Sequence, residues 1–119
     1  MALKDVLHNL TTSMSKLDNE KLQDFCANHA NCSSMGSVRP REEVSVVGEI
    51  TTVRIVPRAG SPSLEATITD GTGSVVAAWT GRRRIAGIAP GKRLMINGRG
   101  APIAPGGRLL FFNPRYELL

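Results

Sequence analysis

Three consecutive arginines, Arg82, Arg83 and Arg84, form the densest patch of reactive chemistry in the chain. Alternation in an extended segment cannot bury all three, so at least two face solvent. A solvated guanidinium grips phosphate through a planar, bidentate fork, and each phosphate it neutralises releases counterions. The bland reading is a solvated charge run with one arginine paired to Glu65 or Asp70. Arg54 and Arg58 flank an expected first loop, and Arg99 and Arg108 flank a later one. Exposed rings stack on nucleobases, which makes Trp79, Phe112 and Tyr116 the aromatic candidates. Trp79 shares a strand face with Val75 and Ala77, a position that suits core packing. Phe111 and Phe112 are adjacent, so in a strand one is core and the other, Phe112, is the candidate stacking surface.

Cys26, His29 and Cys32 have the spacing of metal ligands, but a structural zinc site takes four, and the next histidine is distant His8. Free thiols in a helical segment are the commoner arrangement, so no metal or other cofactor is expected. The two histidines and the scattered acids make neither a Ser-His-Asp nor a paired-carboxylate constellation, so an enzyme is not expected.

The chain has 119 residues, 41% of them hydrophobic, which suits one globular domain with an appendage. Its charge is uneven. Residues 1–38 hold three lysines against four acidic groups, whereas residues 39–119 hold twelve basic groups against six acidic ones. Eleven of those twelve are arginine, which favours phosphate recognition unless a high-GC genome set the choice. The first residues lack a signal-peptide pattern and no window reaches about 20 apolar residues, so a cytoplasmic chain without a membrane partner is expected.

Two periodicities divide the chain. Leu3, Val6, Leu7, Leu10, Met14 and Leu17 recur at steps of three and four, which predicts a helical arm over residues 2–29 with a break near Ser15. Asp18 suits a helix cap, and Asn31 to Pro40 reads as a linker. Residues 3–28 either pack on the rest of the chain or serve as a docking or dimerisation surface. From Glu42 the period becomes two, giving strands over residues 43–56, 64–69, 74–80, 92–100 and 108–113. Gly48 is placed to bend the first. Loops are expected at 57–62 and 101–107, with a connector over 81–91. Asp70-Gly71-Thr72-Gly73 is a hairpin turn, because its glycines accept positive φ. Five short strands with a long first one fit a small closed barrel, which also hides its edges.

Residues 43–117 resemble an OB-fold of the nucleic-acid-binding type, as in the wedge domain of RecG-type helicases and in small stand-alone bacterial proteins. The resemblance rests on Val47-Gly48-Glu49-Ile50, on Leu64 to Ser74, on Ala78-Trp79, on Pro90 to Leu94, and on Asn113-Pro114-Arg115-Tyr116-Glu117-Leu118. It implies an all-β, five-stranded Greek-key barrel over residues 39–119, with residues 1–38 as helical arm and linker. It also implies a binding cleft formed by the face of strands two and three and the two flanking loops. No Gly-x-x-x-x-Gly-Lys-[Ser/Thr] occurs, so ATP hydrolysis is not expected. The expected function is non-catalytic binding of nucleic acid, DNA in preference, with little sequence preference. Arg54, Arg58, Arg82, Arg83, Arg84, Arg99, Arg108 and Phe112 are the expected contacts. The competing expectation is a protein–protein adaptor that docks through its helices.

Overall fold

The computed structural model describes residues 20–26, 32–103 and 108–119. The expected helix over residues 2–19, its break near Ser15, the Asp18 cap, His8 and His29 lie outside the described residues. Residues 20–26 are α-helical, as the periodicity predicts. No helix among the described residues is long and apolar enough to cross a membrane.

Six strands follow a single 3-10 turn at Met35–Ser37: β1 (Glu43–Arg58), β2 (Ser61–Thr69), β3 (Ser74–Thr80), β4 (Arg93–Ile103), β5 (Arg108–Phe112) and β6 (Arg115–Leu118). Neighbours run β1-β2-β3-β5-β4, and β4 pairs back onto β1, so five strands close into a ring. Only β3 and β5 lie parallel. β1 makes closure possible by pairing twice, with β4 along Glu43 to Glu49 and with β2 along Glu49 to Arg58. The register slips between Ile50 and Thr52, which leaves Thr51 unpaired as a bulge. Side chains alternate, so one extra residue exchanges the two faces of the strand. Val44, Val46 and Ile50 point inward before the bulge, and Val53 packs on the same core after it. The core inside the ring adds Leu64, Ala66, Ile68, Val75, Ala77, Trp79, Leu94, Ile96, Leu109 and Phe111, and Ile85 and Ile88 of the connector cover it.

Several expected boundaries are corrected. The loop at 57–62 is a two-residue turn, with Ala59 at φ 49 and Gly60 at φ 80. Pro57 faces Pro62 in the ladder, and alternate positions of an antiparallel ladder exchange no hydrogen bonds. β4 runs on to Ile103, so residues 101–103 are strand and not loop. β5 ends at Phe112, and Asn113 at φ 47 turns the chain into β6, a strand that was not anticipated.

The turn after β2 is tied to the chain that precedes β1. Asp70 Oδ1 accepts from the N–H of Thr72 (2.9 Å), the hydroxyl of Thr72 (2.6 Å) and the N–H of Gly73 (3.2 Å). Its Oδ2 accepts from the N–H of Met35 at 2.8 Å. Gln23 donates to the carbonyl of Gly71 at 3.0 Å, and the Arg93 guanidinium lies 4.2 Å from the Phe25 ring centre. Residues 20–26 therefore pack at the β2–β3 turn, one end of the ring.

Gly48 serves close approach, and the irregularity of β1 falls three residues later. A Cβ on Gly48 would lie 2.6 Å from the carbonyl oxygen of Thr69 and 2.7 Å from both Ile68 and Met35. Gly48→Ala should therefore cost about 1–3 kcal/mol of stability through overpacking. Chemical denaturation checks this, and an unchanged midpoint rejects it.

Candidate nucleic-acid interface

The bulge at Thr51 decides which β1 side chains leave the core. Past it, Arg54 and Arg58 alternate with Val53, which packs on the core, and with Ile55 on the same side as Val53, so both arginines stand on the outer face. Strand register then sets a lateral row. Arg54 is opposite Glu65, Glu65 opposite Ala78, and Ala78 opposite Phe112. Leu64 and Ala66 are core residues, so Glu65 between them must also face outward.

Glu65 is only 5% exposed although it is charged. Two guanidinium groups compensate it. Arg58 Nη2 donates to Oε2 at 2.5 Å and Arg54 Nη2 to Oε1 at 3.3 Å. Charge-assisted bonds of this kind offset the cost of burying a carboxylate. The Arg58 guanidinium also lies 5.4 Å from the centre of the Phe112 ring. Phe112 is 50% exposed, whereas its neighbour Phe111 is fully buried, which matches the expected division. Beside the row, Val76 and Leu110 join its Ala78 in a small apolar patch against Ile103. The result is an outward aromatic ring, two arginines sharing one carboxylate, and an apolar floor.

Arg82, Arg83 and Arg84 are all exposed in the connector that leaves β3. The alternative of a pairing with Glu65 or Asp70 is not what forms: Glu65 is held by Arg54 and Arg58, and Asp70 by backbone and a hydroxyl. The connector starts at the hairpin, where the Gly81 N–H donates to the carbonyl of Pro62 at 2.8 Å. The arginine run thus lies at the same end of the ring as Arg58. Arg108 opens β5 and alternates onto the face of Leu110 and Phe112. Arg99 stands one strand beyond Phe112, because the pairing of Gly100 with Phe111 puts it at the level of that ring. It sits within β4 opposite Glu43, donates to the carbonyl of Arg41 at 3.0 Å and approaches Glu43 at 3.9 Å. Arg54 lies within β1, four residues before its end at Arg58.

Trp79 is a core residue. It is 6% exposed, its indole N–H donates to the carbonyl of Pro114 at 3.2 Å, and Tyr116 meets it edge-on at 5.5 Å. Both rings are therefore committed to packing β6 against the ring. Glu65 was the residue whose part sequence reasoning missed. Its signal was present: a carboxylate at an outward position between two inward apolar residues, opposite a strand with arginines at alternate positions.

Cys26 and Cys32 are free thiols that line a cavity of about 190 Å³ with Gln23, Ser33, Val47 and Asp70. Among the described residues no three potential ligands gather as a metal site. Burial pushes the Cys26 thiol up to about 11, the Asp70 carboxylate adds to this, and Arg93 opposes it. Burial also raises Cys32.

No family model matches the chain, and no curated protein does. Among solved structures, RecG bound to a three-way DNA junction matches with 20% identity and a TM-score of 0.56, over 74% of this chain and 12% of that one. The ring has an OB-fold. Yeast Stn1 and Ten1 match at 11% identity and a TM-score of 0.51, over 65% of this chain and 42% of that one. The OB domain of Ta0387 from Thermoplasma acidophilum is 20% identical with a TM-score of 0.48, over 73% and 80%. This chain thus spans a small part of RecG and under half of the yeast protein, and the likenesses are of fold.

The thiol environment yields a test. A thiol raised from 9.0 to about 11 carries about a hundredfold less thiolate at pH 8, and the thiolate is the nucleophile. Iodoacetamide should therefore label Cys26 about a hundredfold more slowly than an ordinary cysteine, the rate rising tenfold per pH unit above neutrality. Peptide mass mapping follows it, and equal rates in folded and unfolded chain would refute the burial argument.

Proposed function

We propose that the chain is a non-catalytic nucleic-acid-binding module of the OB-fold type, with DNA as its preferred ligand and little sequence preference. The observation that carries this reading is the outer row of β1, β2, β3 and β5. It sets a half-exposed ring, Phe112, beside two guanidinium groups, on the sheet face through which OB-folds bind oligonucleotides. Arg82, Arg83 and Arg84 extend the positive charge past the end of β3, and Arg108 adds to it at the start of β5. Phosphates on these groups carry no sequence information, which accounts for the weak preference. The carboxylate on this row is committed to two arginines, so the face offers binding groups and no acid–base pair. The RecG structure, solved on a three-way DNA junction, favours DNA as the partner. A soluble, cytoplasmic setting fits such a module.

Fluorescence anisotropy with single-stranded, duplex and forked DNA and with RNA, at two salt concentrations, tests this. Binding should weaken steeply with salt. Phe112→Ala should weaken single-strand binding about tenfold, the usual worth of one stacked base. Replacing Arg82, Arg83 and Arg84 together by Ala should weaken binding to all sequences equally and flatten the salt slope. No binding by the native chain at low salt rejects the proposal.

A further inference from the structure

The β1–β2 hairpin has a second face, opposite Arg54 and Arg58. The bulge that turns those arginines outward turns Val53, Ile55 and Pro57 the other way. Val53 reaches the core, but Ile55 lies past the end of the ring and is 55% exposed. No large apolar side chain among the described residues is more exposed. Ile55, Pro57, Gly60, Ser61 and Pro62 line a groove of about 330 Å³ with Arg83.

The groove is preformed. β1 and β2 stay paired up to Arg58 and Ser61, and the Ala59-Gly60 turn has positive φ at both residues, which matches strand twist. The Gly81 N–H on Pro62 anchors the start of the arginine run alongside.

Charge selects the occupant. Arg54, Arg58, Arg82, Arg83 and Arg84 gather at this end against Glu65, which two of them already hold. A second copy would bring the same excess of positive charge. Nucleobases stack on rings or guanidinium planes and are read by polar groups, whereas this floor is aliphatic. The helical residues 20–26 pack at the β2–β3 turn, the opposite end of β2, about 26 Å away at the usual rise per residue.

We propose that this groove docks an acidic peptide segment of a partner protein. One large apolar side chain rests on Ile55, Pro57 and Pro62, and flanking carboxylates meet Arg82, Arg83 and Arg84. This surface shares Arg82, Arg83 and Arg84 with the proposed nucleic-acid surface but not Phe112, and its apolar floor stands whether or not the Phe112 row binds nucleic acid.

The test uses the full chain and two labelled synthetic peptides, Asp-Glu-Asp-Ile-Phe-Asp-Glu and the same peptide with Ser-Ser in place of Ile-Phe. In low-salt anisotropy titrations the first should bind about tenfold tighter, as expected when one apolar side chain is largely buried. Ile55→Ser should erase that difference and leave the melting temperature unchanged, since the side chain is mostly in water. Arg83→Glu should weaken both peptides, and Phe112→Ala neither. Equal affinity for the two peptides, binding of neither, or a difference that survives Ile55→Ser overturns the proposal. So does a 12-nucleotide oligo-dT whose binding falls with Ile55→Ser, because that assigns the groove to nucleic acid.

Discussion

One strand with two partners is the constraint on which the rest of the structure depends. β1 pairs with β4 in its first half and with β2 in its second, and no five-strand ring closes without it. A strand that changes partners must bend, and the bulge at Thr51 supplies the change of direction. The same residue shifts the side-chain phase. Without it, Arg54 would follow Ile50 inward, where a guanidinium has no partner and a large desolvation cost. With it, the arginines reach the outer face and Ile55 and Pro57 face the other side. Both surfaces of the hairpin follow from one unpaired residue.

Among the described residues, the two buried carboxylates solve the same problem in different ways. Asp70 satisfies its oxygens with N–H groups and a hydroxyl, so it makes the β2–β3 turn rigid and fastens Met35 against it. Glu65 is satisfied by Arg54 and Arg58, whose own exposures are 73% and 37%. Because Glu65 itself is almost wholly buried, removing either guanidinium would leave its charge poorly compensated. Both carboxylates are therefore fixed parts of the scaffold, Asp70 through the turn and Glu65 through its two arginines. The Glu65 cluster sits beside Phe112, with the Arg58 guanidinium 5.4 Å from the centre of that ring.

Legibility in the sequence tracked how local each interaction is. The Asp70-Gly71-Thr72-Gly73 hairpin was readable because its turn chemistry lies within four residues. Phe111 and Phe112 were assigned to opposite faces by alternation alone. The phase slip in β1 is not marked by the apolar pattern, because Val47 and Val56 break the change from even positions (Val44, Val46, Ile50) to odd ones (Val53, Ile55). β6 was not readable: all four of its residues stay exposed while paired to β4, so no burial pattern marks it. Pro57 and Pro62 suggested a loop for a sound local reason, and only their cross-strand pairing removes the objection.

By itself the sequence determined the all-β class after residue 42, the excess of arginine over lysine, the central hairpin, and the absence of a phosphate-binding loop motif. Each of these depends on composition or on neighbours a few residues apart. Tertiary structure decided which charges meet. Arg58 and Glu65 are brought together across a hairpin turn, Phe112 arrives from a strand 47 positions beyond Glu65 in the chain, and Arg99 of β4 is set opposite Glu43 of β1. Ring closure sets those distances, because strand order and register, and not sequence spacing, fix which side chains share a row.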